Sequence, residues 1–396
     1  MPHATQLATL KVTPLVHNPK ETKVDFGAIV EGVDLNDIDE ILAPTADTFT
    51  EIRKAVLTHR LLIFKGQEKL HPANQLKFVQ MFSPGSTNFS HALDPNYLKR
   101  RGNGGATIPG VPQCQILGYG QVPPGHYGLP DDIVIARQDH RKMSKHPLSE
   151  EELEQGYTRL MQLHFDGALY STPPPFCGSL LAVHTPKGED LTLTFDNRNG
   201  RGEKKIAPGS TAYFSAAQAY RLLTDEQKAI ANNSSVTYAP HAFSWIAQTK
   251  FTSDGSSIFS DGLEVPLDDL PPWEEEKLKT MPMVWLNPLT GEKSLMIHGQ
   301  CAMRVHVKRS PEDEVKTLED LSEVRAFLQE FQLPILKPEY VYAHNHQEGD
   351  LAVWYNQGMW STSDTTSTRT SFRWTKELWC RIRGGQVLVR MEQVSG

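Results

Sequence analysis

Hydrophobic and polar positions along the chain follow two different periods. Apolar residues recur at helical spacing in residues 48–58, through Phe49, Ile52 and Val56, and this spacing predicts a helix. Compact apolar runs bounded by glycine, proline or polar residues are typical of strands. Such runs lie at 60–65, 113–117, 178–184, 191–195, 340–342, 351–355, 369–374 and 386–390.

Further helices and a hairpin are predicted between these strands. Residues 74–82 have helical spacing, and Ser149 followed by three glutamates indicates a helix N-cap with an acidic first turn. Residues 211–232 and 318–331 also have helical patterns. Residues 283–297 read as two strands joined by a tight turn, which is typical of a hairpin.

The order of these elements predicts a mainly β fold with flanking helices. Short strands dominate, and the helices do not alternate with them as they would in a parallel α/β sheet. Neither an internal repeat nor a linker is visible, so we predict a flexible N-terminus over 1–24 and a single domain over 25–396. Residues 85–130 are rich in Gly, Pro and Asn and predict a long loop insertion. That loop is equally compatible with a substrate lid and with a permissive insertion.

Composition excludes several classes of protein. The chain has 396 residues and a net charge of -7, which argues against a nucleic-acid binder. No apolar run approaches the roughly 18 residues of a membrane span, and the N-terminal residues lack the layout of a signal peptide. The 4 cysteines are scattered, as in a protein with reduced thiols, so we predict a cytoplasmic location. The sequence leaves a homo-oligomer open.

The first candidate for chemistry is the pair His164 and Asp166. Residues i and i+2 of an extended strand point to one face, which would place an imidazole beside a carboxylate. That is two thirds of the facial triad that holds Fe(II) in non-haem oxygenases. The spacing alone is weak, because a solvated histidine beside an aspartate in a loop is the more common arrangement.

A second candidate is Arg373, which lies between Phe372 and Trp374. An arginine inside an apolar strand needs an anionic partner, and its planar fork suits a carboxylate. The far carboxylate of a 2-oxo acid would fit. An ordinary salt bridge to a carboxylate at the edge of the core is the alternative, and from the residues alone it is the more common arrangement.

Four segments together resemble the TauD/TfdA-like family of Fe(II)/2-oxoglutarate-dependent dioxygenases, and the fungal xanthine dioxygenase branch in particular. These segments span 55–67, 163–170, 283–291 and 348–356, and they occur in the order of the family. The combination is specific although each piece alone is not.

The resemblance implies a double-stranded β-helix (jelly roll) that oxidises a small organic molecule, with Fe(II) as metal and 2-oxoglutarate as co-substrate. It also implies His164 and Asp166 as iron ligands and Arg373 as the anchor of 2-oxoglutarate. Thr192 resembles the second contact to 2-oxoglutarate in the family, and Thr194 is the alternative if the register shifts by one strand step.

The chain departs from the family at the third iron ligand. The family carries a histidine twelve residues before its arginine, and Ser361 stands at that place. Asp364, His344 or His346 could replace the missing imidazole. Alternatively, His164 and Asp166 could suffice together with bidentate 2-oxoglutarate. The remaining alternative is a redox-neutral catalyst or small-molecule binder with a degraded iron site.

The substrate side also differs from the xanthine branch, which makes xanthine itself doubtful and a partly apolar or aromatic molecule equally suitable. Gln113 and Gln115 are candidate polar contacts. Trp360 and Trp379 are candidate walls of the pocket, and core packing is the alternative for both.

Overall fold

The computed structural model describes residues 10–38, 47–83, 106–135, 140–167, 169–363 and the backbone of 377–386. Strands dominate, as the sequence predicts. They are β1 Lys11–Pro14, β2 Ala28–Glu31, β3 Leu61–Phe64, β4 Ala106–Ile108, β5 Val111–Gln121, β6 Val134–Ile135, β7 Tyr157–Arg159, β8 Met161–His164, β9 Pro175–His184, β10 Leu191–Asn197, β11 Gly200–Ile206, β12 Thr211–Ser215, β13 Ser235–Tyr238, β14 Thr280–Pro282, β15 Val284–Leu286, β16 Lys293–Leu295, β17 Ala302–Val307, β18 Lys316–Leu318, β19 Tyr342–His344, β20 Leu351–Tyr355, β21 Met359–Ser363 and β22 Glu377–Gln386.

Helices lie between the strands in the described ranges. They are α1 Thr48–His59, α2 Pro72–Met81, α3 His140–Met143, α4 Glu150–Glu154, α5 Ala216–Arg221, α6 Asp225–Asn233, α7 Ala242–Trp245 and α8 Leu321–Gln332. Short 3-10 turns lie at His126–Gly128, Leu267–Asp269, Glu275–Lys277, Leu333–Ile335 and Pro338–Tyr340. None of the helices in these ranges is long and apolar enough to cross a membrane.

A large sheet forms one wall of the protein. Its strand order is β1-β2-β3-β20-β9-β22-β5-β4, with β6 paired to β5. Helices α1 and α2 contribute buried apolar side chains such as Val56 and Phe78 to a cluster that also contains Leu62 and Val353 of the sheet. That face of the sheet is therefore closed by helices.

A smaller sheet of order β19-β12-β21-β8 provides the second wall. Between the two sheets lies a buried cluster, here called the interior cluster, to which both contribute. Because neighbouring residues of a strand point to opposite faces, Tyr213 and Met359 belong to the interior cluster while Phe214 and Trp360 lie in a different core. The members of the interior cluster are Val24, Phe26, Leu61, Ile63, Leu180, Ala182, Tyr213, Ala352, Trp354 and Met359.

Most of the predicted elements are present, among them α1, α2 and the hairpin of β15 and β16, and Ser149 caps α4 with a complete capping box. The prediction of one helix over 211–232 was wrong at its start. Residues Thr211–Ser215 form β12, which is buried on both faces, and helix begins only at Ala216. A strand covered on both faces is apolar throughout, so its pattern resembles that of a buried helix.

Two segments expected to be irregular contain strands. Within the predicted flexible N-terminus of 1–24, Lys11–Pro14 pairs antiparallel with β2. Within the predicted loop of 85–130, the 11-residue strand β5 pairs with β22 through residues 114–119 and contains the expected strand at 113–117. The predicted strand at 369–374 lies outside the described residues.

Candidate active site

The imidazole of His164 and the carboxylate of Asp166 lie side by side. His164 is the last residue of β8, and Asp166 follows in the bend beyond it. The His164 Nε2 atom is 3.4 Å from Asp166 Oδ1, and both side chains are buried. The predicted juxtaposition is therefore present, although Asp166 itself is not part of the strand.

The orientation of the His164 ring is set by a backbone carbonyl. His164 Nδ1 donates to the carbonyl oxygen of Gln162, which leaves Nε2 as the lone-pair nitrogen on the side of Asp166. A hydrogen bond of this kind from the other ring nitrogen is usual for metal-binding histidines. Gln162 adopts a positive φ of 47° to present its carbonyl, which is strained backbone of the sort that clusters at functional sites.

Asp166 is held by the side chain of Asn356, just beyond β20. The Asn356 Oδ1 atom accepts from the Asp166 backbone N–H at 2.7 Å, and Asn356 Nδ2 donates to the Asp166 carbonyl at 2.9 Å. The same Nδ2 donates to the carbonyl of Pro175 at 3.0 Å. One buried amide therefore fixes the bend that carries Asp166 against the start of β9.

Gly178 of β9 provides the space for the carboxylate. A Cβ at this position would lie 2.3 Å from the ring of Trp354 and 2.9 Å from Asp166 Oδ2. Any side chain at 178 would therefore displace either the tryptophan or the aspartate. The large sheet approaches the candidate site through this glycine.

Ser361 lies beside His164. The two residues are direct partners in the antiparallel pairing of β21 with β8, and Tyr213 is the partner of Ser361 on the other side. Ser361 is buried, and among the described residues its Oγ atom has no hydrogen-bond partner. The serine that stands in place of the expected third ligand is therefore adjacent to His164 in the sheet.

His298 is a neighbour of the pair that sequence reasoning missed. Its ring centroid is 6.3 Å from that of His164, and it packs edge-on against Phe165 and Phe243. Burial, with a smaller contribution from His164, lowers the pKa of His298 to about 3, so the ring is neutral. Its Nδ1 atom finds no partner among the described residues. His164 and His298 come from segments far apart in sequence, so no local sequence pattern predicts that the two rings lie close together.

The proposed substitutes for the third ligand are occupied elsewhere. His344 Nε2 bonds Asp350 at 3.0 Å, and Lys65 donates to the same carboxylate at 2.7 Å. His346 Nε2 bonds Thr211 at 3.2 Å. Both histidines thus belong to a buried network at the β19 edge of the smaller sheet. The structure does not bring them to His164, and Asp364 lies outside the described residues.

The candidates for co-substrate binding are only partly described. Thr192 lies in a separate sheet of order β11-β10-β7, and its hydroxyl accepts from Lys205 Nζ at 2.7 Å. The hydroxyl of Thr194 donates to the carbonyl of Thr158 at 3.3 Å. Arg373 lies outside the described residues.

The two glutamines and the two tryptophans differ in placement. Gln115 lies in one row with Leu180 of the interior cluster, across β22, and Gln113 is two residues earlier on the same face of β5. Trp360 points away from Ser361 into the core on the far side of β21, where it is fully buried. Of the two alternatives for Trp360, a wall of the site and core packing, the structure therefore shows core packing. The side chain of Trp379 is outside the described part of the structure.

His164 and Asp166 offer donor atoms of the kinds that Fe(II) requires. Imidazole and carboxylate are both ligands that Fe(II) accepts, and His164 Nε2 and Asp166 Oδ1 face each other at a distance that one ion can bridge. In the described parts of the chain, no group of three His, Cys, Asp or Glu side chains is placed to hold a metal ion. The residues therefore fit two positions of a facial triad and leave the third open.

Comparisons with known proteins identify a family for this chain. The family model described as "Taurine catabolism dioxygenase TauD, TfdA family" matches residues 11–360, and the match ends one residue before Ser361. The chain is 38% identical over 357 residues to the alpha-ketoglutarate-dependent xanthine dioxygenase of Schizosaccharomyces pombe, which covers 88% of this chain and 83% of the relative.

A second relative and a solved structure extend the likeness. The alpha-ketoglutarate-dependent xanthine dioxygenase of Emericella nidulans is 34% identical over 363 residues, covering 89% of this chain and 91% of that protein. The crystal structure of a putative alpha-ketoglutarate-dependent taurine dioxygenase from Burkholderia xenovorans superposes with a TM-score of 0.52 at 16% identity, covering 96% of this chain and 91% of that one. At this identity the superposition speaks for the fold alone.

Proposed function

We propose that His164 and Asp166 are the iron ligands of this chain, which belongs to the TauD, TfdA family of dioxygenases. The protein is an enzyme that uses Fe(II) and 2-oxoglutarate to oxidise a small organic molecule. The assignment of these two ligands rests on one observation: His164 Nε2 and Asp166 Oδ1 are buried and lie 3.4 Å apart. When bound, Fe(II) supplies the one-electron chemistry that activates dioxygen while 2-oxoglutarate is oxidatively decarboxylated.

The described residues supply orientation and exclusion of water. His164 presents Nε2 because its Nδ1 is committed to the Gln162 carbonyl, and Asp166 is positioned by Asn356. Both ligands are withdrawn from solvent, which strengthens the interaction of a carboxylate with a cation. Arg373 is proposed to pair with the far carboxylate of 2-oxoglutarate, for which a guanidinium fork is the natural partner.

Thr192 and Thr194 are weaker proposals for a second contact to 2-oxoglutarate. Thr192 is engaged by Lys205 and Thr194 donates to a backbone carbonyl. Either hydroxyl would have to exchange its present partner for the co-substrate. Thr192 has the better case, because Lys205 adds a cation beside it.

The architecture we propose is a double-stranded β-helix. Support comes from the two sheets that enclose the interior cluster and from the placement of the candidate site between β8 and β9, one strand from each sheet. We also propose that residues 25–396 are one domain. Cys114, Cys177 and Cys301 are buried and carry reduced thiols, which supports a reducing compartment such as the cytoplasm.

The substrate we propose to test first is xanthine, because two relatives with this activity in their names cover most of the chain. Gln113 and Gln115 support a polar heteroaromatic substrate. Their face of β5 is about 10 Å from β9 across one intervening strand, and an amide can pair with a purine edge by two hydrogen bonds.

The experiment is a measurement of 2-oxoglutarate consumption under air with Fe(II), with and without xanthine. Wild type should consume 2-oxoglutarate faster with xanthine and form equimolar oxidised product. Asp166→Ala should abolish both, whereas Asp196→Ala, at the exposed end of β10, should not. Consumption that xanthine does not stimulate would reject xanthine, and activity that survives Asp166→Ala would reject the site.

A further inference from the structure

Three side chains form a hydrogen-bonded chain at the β19 edge of the smaller sheet. The Tyr342 hydroxyl is 2.9 Å from His344 Nδ1, and His344 Nε2 is 3.0 Å from Asp350 Oδ2. An ionised carboxylate only accepts, whereas a phenol can donate, so Nε2–H donates to Asp350 and Nδ1 accepts from Tyr342. The imidazole is therefore a base that faces a phenol and is oriented by a carboxylate, as in the triads that activate nucleophiles.

Further donors keep Asp350 in its carboxylate form. Lys65 Nζ lies 2.7 Å and 2.9 Å from the two carboxylate oxygens, and the Gln347 backbone N–H donates to Oδ2 at 3.0 Å. Burial opposes the charge, but the hydrogen bonds from His344 and Lys65 outweigh it and lower the pKa of Asp350. A buried carboxylate that stays ionised stabilises a positive charge on the imidazole beside it.

The hydroxyl of Tyr342 keeps its proton as long as the ring keeps its electrons. Burial, with a smaller contribution from Asp350, raises the pKa of Tyr342, so phenolate does not form at neutral pH. Loss of one electron makes a phenol strongly acidic, and its proton then needs a base within hydrogen-bond reach. The Nδ1 atom of His344 stands at that distance, so proton loss and electron loss can occur together.

The ring of Tyr342 lies between the interior of the protein and its surface. It is partly buried against the interior cluster, and the His17 ring meets it edge-on at 5.6 Å, next to Val16, which is 96% exposed. The His346 ring packs against His344 at 4.4 Å, and burial lowers the pKa of His346 well below its ordinary value. His346 therefore places no positive charge beside the base, and the phenol is close to solvent.

We propose that Tyr342 is a redox-active tyrosine, which donates an electron to one-electron oxidants such as oxygen-centred radicals or high-potential metal complexes, with His344 as its proton acceptor. The ring gives one electron to the oxidant, the O–H bond of Tyr342 breaks, and the proton moves to His344 Nδ1. The products are a neutral phenoxyl radical, an imidazolium paired with Asp350, and the reduced oxidant. A one-electron reductant of the thiolate or ascorbate class returns the electron, and the proton goes back from His344 to the phenol oxygen. The step needs neither a metal nor 2-oxoglutarate at the candidate active site.

The test is flash oxidation of the metal-free, full-length protein. A ruthenium polypyridyl photo-oxidant is attached to Val16→Cys, and the cysteines of the described residues are buried; wild type treated with the same reagent is the labelling control. A light pulse with a soluble electron acceptor produces ruthenium(III). Transient absorption follows the phenoxyl radical, and electron paramagnetic resonance of freeze-trapped samples identifies it. The radical should form in the labelled protein, form more slowly in D2O, and be lost when Tyr342→Phe is added.

Variants of the base separate a redox role from a merely structural one. His344→Phe should slow radical formation by about 100-fold, the lower end of what a positioned base contributes to proton transfer. Asp350→Asn should slow it less, because the imidazole keeps a hydrogen-bond partner and loses only the balancing charge, and it serves as the test if His344→Phe folds poorly in thermal unfolding. Tyr220→Phe is the matched control, since the Tyr220 hydroxyl donates to the Asn232 amide oxygen at 3.2 Å, and it should leave the rate unchanged.

Two results would overturn the inference. One is a phenoxyl signal that persists in full when Tyr342→Phe is added, which would place the radical on another tyrosine. The other is a rate of radical formation that neither D2O nor the variants of His344 and Asp350 alter, in which case the three side chains only hold the two sheets together. Failure of the proposed function would leave both readouts as they are, because no metal is present in this experiment.

Discussion

Ser361 is the direct strand partner of His164, in the antiparallel pairing of β21 with β8. Ser361, which stands where the third ligand was expected, is therefore adjacent in the sheet to His164, the first of the two proposed ligands. The family match ends at residue 360, one residue before Ser361. Single substitutions at these positions test the proposed site.

Gly178→Ala should destabilise the protein and weaken metal binding together. The added Cβ would lie 2.3 Å from Trp354 and 2.9 Å from Asp166 Oδ2, so overpacking should lower the free energy of unfolding by about 1–3 kcal/mol. Urea unfolding and Co(II) titration measure the two effects. Gly200→Ala is the control, because a Cβ there meets nothing within 4 Å and the φ of +93° costs only stability. Unchanged Co(II) affinity in Gly178→Ala would remove this glycine from the site.

Asn356→Leu should lower metal affinity by about 10–100-fold, the usual effect of losing a residue that positions a ligand. The substitution leaves the Asp166 backbone N–H and carbonyl without their side-chain partners, which should also cost at least about 2 kcal/mol of stability. Asn356→Asp, which can accept but not donate, should lie between Leu and wild type. Gln357→Ala provides the comparison, since that side chain makes only a 3.5 Å contact to Pro174. Equal metal affinities in the two variants would contradict the positioning role.

His298 should make the protein lose stability as the pH falls. Its folded pKa is about 3, below the unfolded value near 6.5, so the unfolded chain binds the proton first. Stability from this residue is complete above pH 6.5 and is lost progressively down to about pH 3, by about 5 kcal/mol in all. Urea unfolding of the metal-free protein across this range should show a shallower acid slope for His298→Leu than for wild type.

The groups that face the His298 ring decide the control for that experiment. They are His164, Asp166 and the Cys301 thiol. The Sγ atom of Cys301 is 3.8 Å from His298 Nε2. Cys301→Ala would remove a contact to the titrating ring itself. The control is therefore Cys177→Ala in β9, whose buried side chain belongs to a different cluster and which should shift stability equally across this pH range. A slope that is the same in wild type and His298→Leu would contradict the account.

Gln115→Leu should raise the KM for xanthine by about tenfold, the equivalent of one lost hydrogen bond. Gln115 is in register, across β22, with Leu180 of the interior cluster. The described residues show no contact between Gln115 and His164. The rate of 2-oxoglutarate consumption without xanthine should therefore stay at the wild-type value. Gln121→Leu, at the exposed end of the same strand, should leave both quantities unchanged. A KM that Gln115→Leu does not move would remove β5 from the substrate site.

Local patterns predicted what depends on local structure. The helices α1 and α2 and the adjacency of His164 and Asp166 were predicted from short-range spacing, although the strand ends at His164 and Asp166 lies in the bend beyond it. The orientation of Trp360 could not be decided from the sequence. Of its two alternatives, a wall of the site and core packing, the structure shows core packing, because alternation along β21 turns Trp360 to the opposite side from Ser361. The strand itself had to be located before this alternation could be applied.

Contacts between distant segments could not be read from the sequence. His298 follows β16 and meets His164 more than a hundred residues earlier, because the segment after the hairpin packs against Phe165 and Tyr238. The same holds for His344, whose partner Asp350 is bound by Lys65 from the other sheet. Such tertiary pairings depend on how sheets meet, and one sequence contains no signal for that.

The most direct measurement of the central claim is an anaerobic titration of the protein with Fe(II) and 2-oxoglutarate, followed by the visible charge-transfer band of the chelate. Wild type should show the band, and its intensity should saturate with Fe(II). His164→Ala should abolish it, while His184→Ala, a half-exposed histidine at the end of β9, should retain it. A band that persists in His164→Ala, or that is absent from wild type but present in Ser361→His, would contradict the claim that this chain, as it stands, holds iron and 2-oxoglutarate at His164 and Asp166.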